Sequence, residues 1–594
     1  MKLSLKSSLL WFVGFTAIFA VAMACVFWGT WSTSVAFVQP DQMVVYRDSF
    51  LSDLWRGICG GDAFVPFDLR FLFGGPYVWQ ELQYAFAMYM AALGVVYYLK
   101  GRGLPSLACY GAGAAYGFMG YNFTLFSAGH LGWFMFLVYG PFTFGLIDRC
   151  VRKGRWMNWL ILGGVLAWGS ARQPDLWLLF TVLAFVYGLF KTACQCRESA
   201  RTGLGARRAF ARIARGVILT IVALVAAGWP ALHTAIFVQT ANRDKQIAGT
   251  MGGTAADNGE KTPEARRAER ERRYVFCTNW SLPPDELTEF AVPDVKGGSS
   301  DPRISPRNPY RGRIGMQVAP GRWSPYRQHS LYMGFLSLVF AFVGVAGLFR
   351  KRRGEEDSEG LDSRDNRAEL IFWSVATLLL LLCALGGFTP FYRLVYLLPM
   401  GDYIRCPVKF VHLIEWCVAV LAGFGMARIL SVRKGSRILA ALVAALALAN
   451  MIHLAVVDAR YCAVDPADTA RIAVARETGS IDIGFMMDAS AQLGKPDYVL
   501  AGGTAFRDNA ALKEALASGA YAPVSFWNFQ FGRFVKMPRE RAGFALLKAA
   551  HPAPRDATEK PSIPGVASSV SLLATAALCG LLVVKAASRG GRRI

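Results

Sequence analysis

Charged residues are scarce in this sequence: Asp, Glu, Lys and Arg make up 18% of its 594 residues, while 54% are hydrophobic. A soluble protein of this length would carry far more polar surface, so that class is excluded. The 12 cysteines lack the spacing of metal ligands, and several lie in apolar runs, where a thiol behaves as a small hydrophobic group. No small-residue cleavage site follows the first apolar run, which we interpret as a retained signal anchor.

Basic residues outnumber acidic ones, 64 to 41, which gives a formal charge of +23. They concentrate in short loops that alternate with the apolar runs. This distribution is typical of the cytoplasmic loops of membrane proteins, so we predict membrane lipids and no nucleic acid as partners.

Apolar runs of membrane-spanning length recur along the chain, since about 17–25 residues are needed to cross the hydrocarbon core. We predict an all-α polytopic protein of the inner (cell) membrane, with about 12 transmembrane helices and both termini cytoplasmic. The predicted spans are 9–29, 79–99, 104–119, 131–147, 156–169, 176–190, 217–237, 331–349, 370–388, 410–430, 438–457 and 566–586. Glycines 111, 113, 117 and 120 in the third span predict close helix packing.

The hydrophilic stretches between these spans define the predicted domains. Two extracytoplasmic domains, mixed α/β or irregular, separate the helical parts. The predicted order is a membrane module at 1–237 whose first outer loop is 30–78, an outer domain at 238–328, four spans within 329–457, a second outer domain at 458–564, and a helix with a basic tail at 565–594.

The first outer loop carries an acidic residue at a helix-start signal, Pro40-Asp41. At 100° per residue, the apolar residues from Met43 to Ile58 fall on one side and Asp41 and Asp48 on the other. We predict an interfacial helix whose carboxylates face water or a cavity. A helix cap alone is the alternative role of Asp41.

Further polar residues occur in the other short loops of the same predicted face. Because these loops share one side of the membrane, we expect their side chains to converge on one cavity. The set is Asn122, His130, Arg172, Gln173, Asp175, Arg393, Asp402, Arg405 and Lys409, with Glu415 inside span ten and His412 as its candidate partner. Interfacial anchoring is the alternative role of each basic residue.

A carboxylate beside several cations suits a sugar carried on a lipid phosphate. The acceptor hydroxyl needs a base as it attacks the anomeric carbon, and the leaving phosphate needs cations or a divalent metal. Arginine binds phosphate through two parallel hydrogen bonds.

Several short runs, in this order along the chain, resemble the bacterial YfhO-type membrane proteins of the GT-C glycosyltransferase superfamily. They cover most of residues 1–455. The runs are Pro40-Asp41-Gln42, Gly129-His130, Tyr139-Gly140-Pro141, Arg172-Gln173-Pro174, Trp280 to Leu287, Pro293 to Gly297, Thr389 to Arg393, Ile404 to Phe410 and Leu421 to Gly425.

The resemblance implies a GT-C-like membrane module and an enzyme that moves sugar from a polyprenyl-phosphate donor to a polymer, lipid or protein of the cell envelope, with inversion. It carries the catalytic role to Asp41. We assign substrate binding to Asp48, His130, Arg172, Gln173, Arg393, Arg405 and Lys409.

Other readings of the sequence stay open. Met43 stands where the commoner motif has a second acid, so no cofactor is certain, the metal residues are unknown, and a divalent cation (Mg or Mn) is an open alternative. The alternative functions are a transporter or flippase of lipid-linked glycan and a non-catalytic envelope scaffold. Disulfides among Cys59, Cys277, Cys406 and Cys462 are not deducible.

Overall fold

The structure is a computed structural model, and the residues that it describes form a helical bundle with a few short strands. The described residues are 5–31, 35–38, 44–45, 80–125, 134–170, 174–233, 262–300, 305, 307–319, 322–349, 361, 363–398, 401, 404–433, 435–462, 472–474, 482–483, 485–489, 498–501, 521–523, 533–536 and 565–590.

The helices follow the apolar segments of the sequence. In chain order they are α1 (Leu5–Val26), α2 (Gln80–Gly101), α3 (Ser106–Gly117), α4 (Gly120–Phe123), α5 (Phe134–Lys153), α6 (Trp156–Gly169), α7 (Pro174–Arg201), α8 (Ala206–His233), α9 (Pro263–Thr278), α10 (Phe335–Ala346), α11 (Arg364–Ala384), α12 (Tyr392–Tyr396), α13 (Val411–Val432), α14 (Arg437–Ala459) and α15 (Gly565–Gly590). Helical turns at Pro284–Phe290, Gly386–Phe388, Pro407–Phe410 and Arg460–Cys462 lie between or beside them.

Within the described residues, seven helices are long and apolar enough to cross a membrane. They are Ser7–Val26, Leu82–Gly101, Leu176–Arg201, Ala206–Trp229, Arg364–Ala384, Pro407–Val432 and Arg437–Cys462. An all-α membrane protein is therefore confirmed in outline, and twelve spans remain a prediction. The predicted span 104–119 contains only the 12-residue α3, about 18 Å long against about 30 Å of hydrocarbon.

Helix α13 lies at the centre of the bundle. The whole apolar window of its span is buried inside the protein, and it packs against α2, α3, α4, α10, α11 and α14. A Cβ added at Gly425 would come within 1.8 Å of the Phe340 carbonyl oxygen on α10. These helices therefore approach closely because glycine leaves room for the neighbouring backbone.

The predicted packing role of the glycines around α3 is confirmed. An added Cβ at Gly113 would lie 2.7 Å from the Ala92 carbonyl oxygen, and one at Gly117 would lie 2.7 Å from the Phe19 ring. At Gly120 it would meet the Ser330 hydroxyl oxygen at 2.6 Å. Any side chain there would separate α3 and α4 from their neighbours.

The strands are short, and two of the strand pairs join distant parts of the sequence. The strands are β1 (Val35–Val38), β2 (Val44–Val45), β3 (Gly315–Ala319), β4 (Arg322–Pro325), β5 (Ile472–Val474), β6 (Asp482–Ile483), β7 (Phe485–Ala489), β8 (Tyr498–Ala501), β9 (Tyr521–Pro523) and β10 (Arg533–Lys536). Four of them form a sheet in the order β5-β8-β7-β9, and β3 pairs with β4.

The first predicted outer loop pairs with the second predicted outer domain. Strand β1 is antiparallel to β10, with Val38 opposite Arg533, and β2 is antiparallel to β6. At residues 44 and 45 the predicted interfacial helix is therefore wrong. Two adjacent β-branched valines favour a strand when a partner strand is available. A prediction from helical periodicity uses only neighbouring residues, so it could not include a partner strand that is distant in the sequence.

Candidate functional site

A buried carboxylate just after the first turn of α13 (Val411–Val432) binds a short helix at one end of the bundle. Glu415 is fully buried, and its two carboxylate oxygens accept the backbone N–H groups of Tyr121 at 2.9 Å and Asn122 at 3.0 Å. The first N–H groups of a helix have no partner inside it, and these two belong to the start of α4. Glu415 thus caps a short helix from a different part of the chain.

His412 binds the same two-residue segment. Its Nδ1 lies 2.7 Å from the Asn122 Oδ1, and its ring lies 4.4 Å from that of Tyr121 between centroids. Because an amide oxygen only accepts, the imidazole donates from Nδ1 in this arrangement. His412 and Glu415, which the sequence suggested as partners of each other, thus both bind Asn122, one through its side chain and the other through its backbone N–H.

The segment that precedes α10 packs against this group. The Ser330 N–H donates to the Thr124 hydroxyl at 3.0 Å, and the Gly120 N–H donates to the Tyr332 carbonyl oxygen at 2.9 Å. His329 Nδ1 lies 3.2 Å from the Thr124 carbonyl oxygen. Burial lowers the pKa of His329 to about 4, and the nearby Arg327 adds to this effect. A neutral imidazole therefore faces the segment at pH 7.

A second buried carboxylate lies at the end of α14. Asp458 is fully buried, and neither of its carboxylate oxygens has a hydrogen-bond partner among the described residues. Buried polar groups without partners are rare, and an ionisable one near a membrane-spanning segment indicates a functional position. No local pattern predicts this role, since Asp458 stands where the apolar run ends and resembles the first residue of a loop.

Three of the predicted cationic residues lie within the described part of the chain. Lys409 is 5% exposed and directly precedes α13, one turn before His412. Arg405 has a buried Nε without a partner among the described residues, and its guanidinium lies 5.7 Å from the Phe276 ring. Arg393 is exposed and pairs with Glu271 at 2.9 Å. Lys409 and Arg405 thus belong to the segment that leads into this site, and Arg393 lies at the surface.

The predicted residues Asp41, Asp48, His130, Arg172 and Gln173 lie outside the described residues. The strands that flank Asp41 in the sequence still show where its loop is attached. Strand β1 pairs with β10, and β10 packs against the turn Arg460–Cys462, which directly follows Asp458. The residues just before Asp41 are thereby held at the same end of the bundle as Glu415 and Asp458.

The motif from Trp280 to Leu287 lies between α9 and α10 and is held there by buried hydrogen bonds. Glu286 accepts hydrogen bonds from the Tyr310 hydroxyl at 2.8 Å and the Arg313 N–H at 2.6 Å. The neighbouring Glu289 forms an ion pair with the buried Arg327. These two acids are satisfied inside the domain, so the structure gives them a folding role.

A surface acid of the same motif is also paired. Asp285 contacts Lys296 at 2.9 Å and Arg313 at 2.5 Å, and these two hydrogen bonds lower its pKa to about 2. The motif Pro293 to Gly297 therefore supplies a cation to the motif that precedes it.

The opposite end of the bundle holds a network of six charged side chains. Arg102 reaches Asp148 at 2.6 Å, Glu369 at 3.4 Å and Asp365. Lys191 lies 2.7 Å from both Asp365 and Glu369 and 3.1 Å from Asp148. With Arg152 on Asp148, three cations match three carboxylates and join α5, α7 and α11 to the end of α2.

Hydroxyl groups complete this network. Tyr98 donates to one oxygen of Glu369 at 2.5 Å, Tyr187 donates to the other at 3.1 Å, and Trp373 Nε1 donates to Tyr98 at 2.7 Å. Arg102 and Glu369 are 267 positions apart in the sequence, so no local pattern predicts that they meet.

The remaining chemistry of the described residues is limited. No group of three or more His, Cys, Asp or Glu side chains in these parts of the chain could hold a metal ion. The eleven cysteines that the structure describes form no disulfide with one another, although the Cys406 N–H donates to the Cys277 carbonyl oxygen at 3.2 Å. Cys59 lies outside the described residues.

Comparisons with protein-family models, with curated proteins and with solved structures found no match to this chain.

Proposed function

We propose that this chain is a GT-C-type glycosyltransferase of the YfhO kind, in which Asp41 acts as the general base on the extracytoplasmic face. The observation that carries the proposal is the attachment of the loop before Asp41, through β1 and β10, beside the buried acids Glu415 and Asp458. Lys409 and Arg405 approach the same end from the segment before α13. A base and cations thus share one face.

The grouping of residues at the two ends of the bundle supports the predicted topology. Described residues of segments assigned to the outside, at 121–124, 405–409 and 458, lie at the end that holds Glu415. Residues of segments assigned to the inside, namely Arg102, Asp148, Arg152, Lys191 and Asp365, belong to the network at the other end. Twelve spans with both termini cytoplasmic would place the first group outside and the second inside.

In the proposed reaction, Asp41 accepts the proton of the acceptor hydroxyl as its oxygen bonds to the anomeric carbon. The bond from that carbon to the phosphate oxygen breaks, and polyprenyl phosphate leaves with the bonding electrons. Arg405 and Lys409 stabilise the charge that develops on the phosphate. One displacement of this kind inverts the anomeric configuration.

A second function is favoured by one observation, the unpartnered carboxylate of Asp458. Buried acids in membrane-spanning segments carry protons or cations in transporters. The alternative is therefore a transporter of lipid-linked glycan that binds a cation at Asp458.

Mass spectrometry of membrane lipids and envelope glycans separates the two functions. Cells that lack this protein would be complemented with wild type, with Asp41→Asn, or with the control Asp53→Asn from the same loop. We expect the deletion to lose one envelope sugar and to accumulate the lipid-linked donor, and we expect rescue by wild type and Asp53→Asn alone. Full rescue by Asp41→Asn would reject Asp41 as the base.

A purified reaction tests the chemistry directly. Wild-type protein in liposomes should release polyprenyl phosphate from its donor, and Asp41→Ala should not, at equal protein yield. If Asp41→Ala keeps wild-type turnover, or if intact donor crosses the bilayer without release, the transporter is the better account.

A further inference from the structure

The connection between α11 and α13 carries an exposed leucine face. Both helices belong to candidate membrane spans, Arg364–Ala384 and Pro407–Val432, so the residues that join them return to the membrane surface at which α11 ended. Within this connection, Leu394, Leu397 and Leu398 are 62%, 77% and 60% exposed. Apolar side chains grouped in this way mark a surface that another apolar phase covers.

The opposite face of α12 is fixed to the protein. Tyr392 is fully buried, and its hydroxyl donates to the Ile404 carbonyl oxygen at 3.3 Å. The Tyr396 ring lies 5.4 Å from that of Tyr274 on α9, and its hydroxyl donates to the Arg270 carbonyl oxygen at 3.4 Å. The leucines therefore point outward because the tyrosines of the same turn are anchored inward.

Arginines of α9 lie next to the turn that carries the leucines. Helix α9 contains five arginines and three glutamates over Pro263–Thr278, and Arg267, Arg270 and Arg272 are exposed. Arg393 lies over the Tyr274 ring at 4.4 Å, so it holds α12 against α9. Side chains with a delocalised positive charge suit phosphate groups, and they adjoin leucines that suit acyl chains.

We infer that α12 and α9 form an interfacial lipid-binding surface, in which Leu394, Leu397 and Leu398 enter the acyl region and the arginines bind phosphates of anionic phospholipids. Phosphates lie just above the acyl chains in a bilayer leaflet, so a surface that places arginines beside exposed leucines suits this layering. A lipid is favoured over a soluble protein partner because the patch lies between two candidate membrane-spanning helices. The surface is independent of whether the chain transfers sugar.

Site-specific photocrosslinking in liposomes of phosphatidylcholine and phosphatidylglycerol tests this surface. A benzophenone amino acid would replace Leu397, with Phe342 on α10 (73% exposed) as the membrane-facing control and Val295 (50% exposed) in the outer domain as the water-facing control. We expect lipid adducts at positions 397 and 342 and none at 295. Adducts at 342 without any at 397 would reject the leucine insertion.

The composition of the adducts tests the arginines. At position 397 we expect phosphatidylglycerol to be enriched about fivefold over its share of the bilayer, because each arginine near the surface attracts anionic lipid. The triple variant Arg267→Gln, Arg270→Gln and Arg272→Gln, which keeps the Arg393 contact between α12 and α9, should return the adducts to bulk composition while the yield at 342 stays unchanged. Adducts of bulk composition in the wild type would reject phosphate binding.

Discussion

The two ends of the helical bundle treat buried charge in opposite ways. At the Arg102 end, three cations pair with three carboxylates. Lys191 lies 2.7–3.1 Å from all three carboxylates, and Arg102 lies 2.6 Å from Asp148 and 3.4 Å from Glu369. At the Glu415 end, one carboxylate is held by backbone N–H groups and the other, Asp458, has no hydrogen-bond partner among the described residues.

This difference separates a structural role from a chemical one. A network in which each charged side chain contacts one of opposite charge fixes the positions of the helices that supply it. An unpartnered buried acid has a free-energy cost that a purely structural position would not retain, and such positions gather where substrates or protons bind. The Glu415 end is therefore where we propose that substrate binds, and the Arg102 end holds the helices together.

The largest effect should come from breaking the Arg102 network. Arg102→Met leaves three carboxylates with two cations, and removing one partner of a buried ion pair costs about 3–5 kcal/mol. Thermal unfolding of the purified protein in detergent would measure the loss. Arg433→Met, which changes an exposed arginine after α13, is the control and should leave the midpoint unchanged. Equal midpoints for Arg102→Met and wild type would contradict the fixed role of this end.

The free energy of unfolding should depend on pH through His329, which lies at the Glu415 end. The folded-state pKa of His329 is about 4, and an unfolded histidine titrates near 6.5, so the unfolded state binds more protons between these values. The stability from neutral His329 is fully present above pH 6.5 and is lost as the pH falls toward 4, by up to about 3 kcal/mol.

Unfolding of wild type and His329→Gln in detergent at several pH values would measure this effect. The wild type should lose stability across pH 6.5 to 4, and the variant should lose less over the same range. Parallel profiles would show that another group titrates there.

Much of the fold followed from apolar periodicity and glycine placement. The close approach of α3 to α2 was predictable because Gly113 and Gly117 sit where any side chain would collide. The joining of His412 and Glu415 with Asn122 was also predictable, since polar residues at the ends of neighbouring spans share one membrane surface. Local patterns contained both signals.

The rest depended on contacts between distant segments. In the sequence, Asp365 and Glu369 are acidic residues near the start of a predicted span, and nothing nearby indicates their partners. In the fold, Arg102 and Lys191 contact them. The strand at Val44–Val45 exists through a partner more than 400 positions away. Asp458 was missed for the same reason, because burial depends on packing that its own neighbours in the sequence do not reveal.

The smallest effect on stability should come from a substitution of Asp458. The direction in which the thermal midpoint changes tests the difference between the Glu415 end and the Arg102 end. Asp458→Asn removes a carboxylate that forms no hydrogen bond with the described residues, so the thermal midpoint should stay the same or rise. Glu415→Gln is the matched control, since an amide can replace only one of two accepting oxygens and should cost about 1–2 kcal/mol. If Asp458→Asn leaves the protein stable and abolishes turnover, the unpartnered acid serves chemistry. A midpoint that falls as far as that of Arg102→Met would place Asp458 in a structural network like the one at the other end.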